Sequence, residues 1–167
     1  MFIGHLPAGY LIGVLVKQNA LVKKELKIKC FYACLVGAVI PDIDLLYFYF
    51  VDQRQHHHHS YLTHLPITWV ALLVTAALWL QFKKGYQAAM VLGAFAVSGF
   101  VHLVLDTLVG DVWWLYPIVT EPISLFTVTA RYEPWWLNFI FHWSFALEFL
   151  VWAVALLVWF KRHVSLR

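Results

Sequence analysis

The sequence predicts an all-α integral membrane bundle of about five helices, on the strength of its composition and its apolar segments. Of the 167 residues, 62% are hydrophobic and only 13% are charged, whereas a soluble domain is about half apolar and about a quarter charged. The mean hydropathy is +0.73. A soluble monomer of this size could not bury so much apolar surface, so we expect a single membrane-embedded domain over residues 1–167.

Five apolar segments define the predicted helices. The fourth and fifth exceed the ~20 residues that cross a hydrocarbon core, the third nearly reaches that length, and the first two are short. Pro41 ends the second segment, since proline cannot continue a helix. In order, the segments are residues 2–16, 30–40 (with a start nearer Lys24 as an alternative), 65–82, 86–109 and 135–160.

The basic residues predict the orientation of the bundle. A five-helix topology places ten of the twelve Lys and Arg residues on one side, which the positive-inside rule makes cytoplasmic. Only Arg54 and Arg131 fall on the other side. We therefore expect a multi-pass inner (plasma) membrane protein with its N-terminus outside and its C-terminus in the cytoplasm. The ten are Lys17, Lys23, Lys24, Lys27, Lys29, Lys83, Lys84, Lys161, Arg162 and Arg167.

The same topology gathers eight of the nine histidines and most carboxylates on the outer face. Scattered structural histidines would not converge in this way, so the convergence is the main functional signal. His163, in the basic tail, is the exception and is interpreted as structural. The residues concerned are His5, Asp42, Asp44, His56, His57, His58, His59, His64, His102, Asp106 and His142.

Two short patterns carry carboxylates to that face. His102 and Asp106 are spaced i, i+4 on one face of an apolar helix, where an ionised Asp is costly unless it is paired or binds a cation. The alternative is a His–Asp hydrogen bond that only stabilises packing. Asp42 and Asp44 follow Pro41 in a tight turn, where carboxylates bind hard or borderline cations or simply favour the turn.

The remaining histidines differ in their expected roles. His64 stands where the third helix begins and is interpreted as a ligand, whereas His56 and His57 fit a solvated tract that attracts metal nonspecifically. His5 is a candidate because it falls on the same membrane face. His142 and Glu148 are six residues apart, on nearly opposite helix faces, and do not form a pair.

Imidazole and carboxylate ligands without Cys favour zinc, and also suit manganese or iron. Two or more such ions would activate water and clamp a phosphoryl or acyl oxygen. The sequence has no Gly-rich phosphate loop and no Gly-x-Ser-x-Gly elbow. Net charge is only +3, and no nucleic-acid partner is predicted. The aromatic stretch 110–134 fits an interface belt or a pocket rim where Arg131 contacts an anion.

These motifs in this order resemble the YdjM-like, LexA-binding, inner-membrane-associated metal-dependent hydrolases. The resemblance covers about residues 4–117 and departs from the family pattern in two places. The Arg expected after the first His of the third block is missing, so either His58 or His59 takes that position, and Leu65 replaces a frequent Ser. The matching motifs are Gly4-His5, Pro41-Asp42-Ile43-Asp44, His58/His59 with Thr63-His64, and His102 to Asp106 with Gly110 and Tyr116-Pro117.

The resemblance implies metal-dependent hydrolysis. The family is also distantly similar to the all-α zinc phospholipase C and single-strand nuclease superfamily, whose further His-x-x-x-Glu pair is not matched by His142 and Glu148. A site at headgroup depth suggests a lipid or lipid-linked phosphoester, attacked by metal-activated water. The expected metal ligands, with zinc first and manganese or iron as alternatives, are His5, Asp42, Asp44, His58, His59, His64, His102 and Asp106.

Other roles complete the hypothesis. Asp44, His64 and Asp106 are the expected catalytic residues, and either Asp44 or Asp106 would bridge two metals. Thr63, Tyr61 or Arg131 would bind substrate and stabilise the developing charge. Two alternatives belong to other classes: a non-enzymatic protein that binds or handles metal, and a structural subunit whose metal fastens its fold. The sequence leaves the oligomeric state open.

Overall fold

The computed structural model describes residues 3–82 and 85–164 and is all-helical, with no strand in that part of the chain. Lys83, Lys84 and Arg167, which enter the charge-based orientation, lie outside the described residues, as does residue 2 of the first predicted segment. The helices are α1 (His5–Gln18), α2 (Lys27–Val39), α3 (Asp44–Phe50), α4 (Pro66–Trp79), α5 (Tyr86–Asp106), α6 (Trp136–Ile140) and α7 (Phe145–Val164).

Helices α1, α2, α4 and α5 form the core. Helix α2 packs against both α1 and α5, and α4 packs against the other side of α5. Helices α2 and α5 approach closely at Gly37 of α2, where a Cβ would lie only 2.2 Å from the carbonyl oxygen of Phe95. Cys30 and Cys34 are free and fully buried beside this contact. The small residues let α2 and α5 bring their ends, which carry the candidate site, close together.

The expectation of five spanning helices is not confirmed. Among the described residues, α5 is the one helix both long and apolar enough to cross a membrane, with 21 residues and a mean hydropathy of 2.1. Lys24–Val39 and Pro41–Phe50 together would make a second, broken span bent by 48°. Helices α1 and α4 have 14 residues each, about 21 Å at 1.5 Å per residue, shorter than the hydrocarbon core.

The fifth predicted segment is interrupted rather than continuous. Helix α6 ends at Ile140 and α7 begins at Phe145. Between them, Nδ1 of His142 lies 2.8 Å from the Ser144 hydroxyl and 3.4 Å from the Ser144 amide nitrogen. Such local side-chain bonds compete with helical backbone pairing, which explains the break.

Helix α3 was not expected from the sequence. Its residues Asp44–Phe50 follow the 3₁₀ turn Pro41–Ile43, so the chain bends at Pro41 but resumes a helix. Two further 3₁₀ turns, His58–Ser60 and Leu62–His64, carry the histidine-rich segment into α4. These short turns place the side chains of His59 and His64, which are about 40 residues away in the sequence, beside the end of α5.

Candidate metal centre

Four histidines surround one carboxylate, Asp106, at the end of α5. The Nε2 atom of His5, on α1, lies 3.1 Å from Asp106 Oδ1. The Nε2 atoms of His102, His64 and His59 lie 2.9, 3.5 and 3.8 Å from Asp106 Oδ2. All five side chains are buried. Asp106 is therefore the centre on which α1, α5 and the two histidine turns converge.

A second carboxylate faces the same nitrogens. Asp42 Oδ1 lies 3.7 Å from Nε2 of His64 and 3.6 Å from Nε2 of His102. The Asp42 side chain is 35% exposed, whereas the Asp106 side chain is 2% exposed. The two imidazoles thus stand between a buried and an open carboxylate.

The second ring nitrogens of two histidines are held by backbone carbonyls. Nδ1 of His102 lies 2.7 Å from the Ala38 carbonyl oxygen, and Nδ1 of His59 lies 3.0 Å from the Asp111 carbonyl oxygen. A carbonyl only accepts, so each ring donates from Nδ1 and, when neutral, has its lone pair on Nε2. In His102 this lone pair faces a carboxylate oxygen 2.9 Å away. A backbone carbonyl at Nδ1 that directs Nε2 toward a carboxylate is typical of metal-binding histidines.

His64 is oriented by a carboxylate instead of a carbonyl. Asp44 Oδ2 accepts from Nδ1 of His64 at 2.5 Å and from the Thr63 hydroxyl at 2.6 Å. The Asp44 residue is 6% exposed. Of the two carboxylates expected in the Pro-Asp-x-Asp turn, Asp42 faces the cluster, while Asp44 holds a ring that faces it.

Burial favours the neutral form of the histidines at the edge of the cluster. It lowers the pKa of His58 to about 4 and the pKa of His59 to about 2. Burial also acts to lower the pKa of His64, but hydrogen bonds and charges of Asp106 and Asp44 together raise it to about 9. At neutral pH the His58 and His59 rings are therefore neutral, whereas Asp44 and Asp106 keep a proton on His64 that a bound metal ion would displace.

The ligand atoms form three overlapping groups with the spacing of a metal site. In each group the atoms lie within 4.8 Å of one another. Ligands bound at 2.0–2.2 Å in a zinc tetrahedron lie about 3.4 Å apart, which is within the observed separations of 2.9 to 3.7 Å. The groups are His64 with His102 and Asp106, His5 with Asp42 and His102, and His58 with His59 and His64. The residues therefore fit one or more divalent cations.

Gly110 leaves room for a ligand ring. A Cβ at this position would lie 2.5 Å from Cε1 of His59 and 3.0 Å from the carbonyl oxygen of Asp106. No other residue type fits beside the imidazole without displacing it. This contact explains why a glycine follows the His-x-x-x-Asp pattern.

A cavity of about 650 Å³ opens onto the cluster. Asp42, His58, His59 and Asp106 line it on the cluster side, together with His57. Its volume is in the range of small-molecule sites. The cavity thus reaches Asp42, His58, His59 and Asp106, whereas His5, His64 and His102 do not line it.

Arg131 and Tyr61 are not among the described residues that line this cavity. Arg131 lines a separate cavity of about 240 Å³ together with Asn138 and His142. The ring of Tyr61 makes an edge contact with Tyr47, with centroids 5.3 Å apart. The structure therefore does not bring these two expected substrate contacts to the cluster.

Glu148, to which the sequence assigned no role at the site, supports the cluster through the beginning of α1. It is 4% exposed on α7, and its Oε2 accepts from the backbone N–H groups of Ile3 at 2.5 Å and Gly4 at 3.0 Å. These amides immediately precede His5, so Glu148 fixes the beginning of α1. A single carboxylate within an apolar helix was the available signal.

The fold and site define a helical protein with a buried histidine–carboxylate cluster and apolar side chains exposed along its helices. The chain matches the YdjM inner membrane protein family over residues 1–165 and belongs to that family. This confirms the resemblance drawn from the motif order and places the chain among inner membrane proteins. No curated protein and no solved structure matches the chain.

Proposed function

We propose that this member of the YdjM family is a membrane-bound, metal-dependent hydrolase of lipid or lipid-linked phosphoesters. The observation that carries the proposal is the cavity, because it gives a substrate access to a cluster that could hold metal. A bound divalent metal would supply water activation and neutralise charge on the phosphoryl oxygens. Zinc suits the ligand set first, and manganese or iron would also be accepted.

The residues divide into holding and positioning roles. His5, His64, His102, Asp42 and Asp106 would hold the metal. The two oxygens of Asp106 face different histidines, Oδ1 toward His5 and Oδ2 toward His64 and His102. A carboxylate with that arrangement is suited to bridge two cations.

Asp44 and Thr63 form the support of this set. Asp44 accepts from Nδ1 of His64 and so keeps Nε2 of that ring directed at the metal position. The Thr63 hydroxyl donates to the same carboxylate oxygen and fixes its position. Loss of a carboxylate that orients a metal ligand in this way typically lowers metal affinity 10- to 100-fold.

We place the cluster on the outer side of the membrane. Helix α1 begins beside the cluster and ends with Lys17 in its last turn, while α2 starts at Lys27 and runs toward Asp42. The basic ends of both helices are thus at the opposite end from the site. The positive-inside rule makes that basic end cytoplasmic.

A non-enzymatic, structural metal site is the second candidate. It is favoured by burial, because His64, His102 and Asp106 are 0%, 1% and 2% exposed. A structural site is closed around its ion, whereas a catalytic site keeps an open position. The open carboxylate Asp42 and the cavity favour the hydrolase.

Metal content is the first test. Tag-free protein in detergent is analysed by elemental analysis, with wild type beside His102→Ala and Asp44→Ala and with His142→Ala as a control away from the cluster. We expect near-stoichiometric zinc or manganese in wild type and in the control, and little in the two cluster variants. No metal in wild type, or metal unchanged in both cluster variants, would overturn the proposal.

Turnover then separates the two candidates. The metal-loaded protein is incubated with chromogenic phosphoesters, and Asp44→Asn is measured in parallel. A hydrolase loses turnover in this variant while its helical content and unfolding temperature remain. If wild type binds metal but hydrolyses no phosphoester, and Asp44→Asn lowers stability instead, the structural role is correct.

A further inference from the structure

The cavity that reaches the cluster has one polar and one apolar lining. The polar groups come from Asp42, the end of α5 and the turn His58–Ser60. The segment after residue 123 supplies Phe126 and Val128, with the smaller Ser124 and Thr127, and the stretch 135–139 supplies Trp135 and Phe139. This lining suits a ligand that has an ionic group and a large apolar part.

The charges around the cavity limit the charge of its ligand. Three carboxylates line it, those of Asp42, Asp106 and Asp111, and no Lys or Arg is among the described residues that do so. Any anion must therefore be neutralised by the metal ions alone. A phosphomonoester dianion or a diphosphate would bring additional negative charge next to Asp111, which repels it.

The apolar lining indicates what the rest of the ligand is. Phe126 is 43% exposed and packs edge-on against Trp143 at 4.8 Å. Trp135 and Phe139 make a second edge contact, with centroids 5.9 Å apart. Together with Val128, these rings give this part of the lining a mainly apolar surface, against which an aliphatic chain can pack.

We infer that the cavity selects a monoanionic phosphodiester that carries an aliphatic chain, with the chain along the wall of Phe126 and Val128. This inference rests on the proposed hydrolase function and narrows its substrate class. In the reaction, a water oxygen forms a bond to phosphorus and the bond from phosphorus to the leaving oxygen breaks. The water proton passes to the leaving oxygen, and the products are a phosphomonoester and an alcohol.

Three water-soluble esters test the inference with the same leaving group. They are hexyl p-nitrophenyl phosphate, methyl p-nitrophenyl phosphate and the dianionic p-nitrophenyl phosphate. For the metal-loaded full chain we expect kcat/KM to be at least about 10-fold higher for the hexyl than for the methyl ester, since burial of the additional methylenes favours binding. The dianion should be the poorest substrate.

Two neighbouring residues provide a matched pair of variants. Phe126 lines the cavity, whereas Leu125 is exposed and does not. Phe126→Ser should bring the hexyl-to-methyl ratio close to 1, and Leu125→Ser should leave the ratio as in wild type. Val128→Ser provides a second wall variant if Phe126→Ser fails to fold.

Binding gives a readout that does not depend on turnover. Hexyl(methyl)phosphinate and dimethylphosphinate are monoanions with no ester bond to hydrolyse, and their dissociation constants are measured by calorimetry on metal-loaded protein. We expect tighter binding of the hexyl compound in wild type and equal binding of the two compounds in Phe126→Ser.

The outcomes distinguish this inference from the proposed function. Equal turnover of the hexyl and methyl esters, or preference for the dianion, would overturn the inference and leave the hydrolase intact. Binding of the hexyl compound that depends on Phe126, without turnover of any ester, would support chain selection and contradict the hydrolase. If no ester is hydrolysed and the hexyl compound binds no more tightly than the methyl compound, both the inference and the hydrolase function are overturned.

Discussion

Two groups of histidines in this protein have opposite patterns of contact. The inner histidines are those whose rings face Asp106, namely His5, His59, His64 and His102. The outer histidines, His56, His142 and His163, lie away from Asp106; the two names do not refer to the sides of the membrane. Each inner ring contacts a group far away in sequence, such as His102 with the carbonyl of Ala38, 64 residues earlier. Each outer ring bonds within four residues: His56 to Asp52, His142 to Ser144 and His163 to Trp159.

The difference shows that histidine abundance does not by itself define a site. The run 56–59 contains members of both groups: the His56 side chain is 68% exposed, whereas the His59 side chain is 8% exposed and faces Asp106. Local bonds satisfy a ring without directing its second nitrogen to a common point. Long-range partners at Nδ1 direct several Nε2 atoms to one carboxylate, which is what a metal requires.

Replacing the common carboxylate should have the largest effect on this contrast. Asp106→Asn keeps the size of the side chain but removes the charge that faces His5, His59, His64 and His102. We expect loss of essentially all bound metal from the inner histidines, measured by elemental analysis after gel filtration. His56→Ala and His142→Ala serve as controls and should retain the wild-type metal content. Full metal retention in Asp106→Asn would contradict the assignment of a centre.

The positioning carboxylate should have the next largest effect. In Asp44→Asn, the amide can present its NH₂ to Nδ1 of His64 and so favour the tautomer with its proton on Nε2. We expect metal affinity to fall 10- to 100-fold, with helical content unchanged, as measured by competition with a chelator and by circular dichroism. A metal affinity equal to that of wild type would show that the Asp44 carboxylate is not needed to orient His64.

Glu148 on α7 supports the inner histidine His5, and replacing it should have a smaller effect on metal binding than replacing Asp106 or Asp44. In Glu148→Ala, the amides of Ile3 and Gly4 lose their acceptor, which typically costs about 1 kcal/mol at a helix beginning. We expect a lower unfolding temperature and a metal affinity several-fold weaker, because His5 is no longer fixed. Glu121→Ala, at an exposed position, is the matched control. Lower stability with unchanged metal affinity would restrict Glu148 to a structural role.

The pH response of the outer group should be the smallest effect. Hydrogen bonds from the His56 side chain and backbone lower the pKa of the Asp52 carboxyl from 3.8 to about 2. Because this pKa is lowered on folding, the stabilising contribution is present above pH 3.8 and is lost as the pH falls toward 2. Titration of the Asp52 carboxyl carbon by NMR should give a midpoint near 2, and in His56→Ala a midpoint nearer 3.8. A wild-type midpoint near 3.8 would show that the contact does not persist.

Much of the candidate site could be predicted from residue spacing. The i, i+4 relation of His102 and Asp106 gives a contact of 2.9 Å, because helical geometry alone brings such residues together. The Pro-Asp-x-Asp turn does carry one carboxylate to the cluster. Spacing could not assign different roles to Asp42 and Asp44, because their roles depend on His64, twenty residues later in the chain.

The helices themselves were predictable to a limited extent. The apolar run that begins at Tyr86 becomes a helix of 21 residues, since hydrophobic length and helix propensity agree there. The break before Phe145 depends on a side-chain contact within three residues, and the helix Asp44–Phe50 depends on continuation beyond Pro41. Average hydropathy does not report such contacts.

The amino-acid sequence by itself determined the helical class, the family and the set of residues able to bind metal. Tertiary structure decided which of those residues act together. The carbonyl of Ala38 selects the tautomer of His102, and Glu148 fixes the beginning of the helix that carries His5. Both contacts join distant parts of the chain, and only close packing of helices brings such groups within hydrogen-bonding distance.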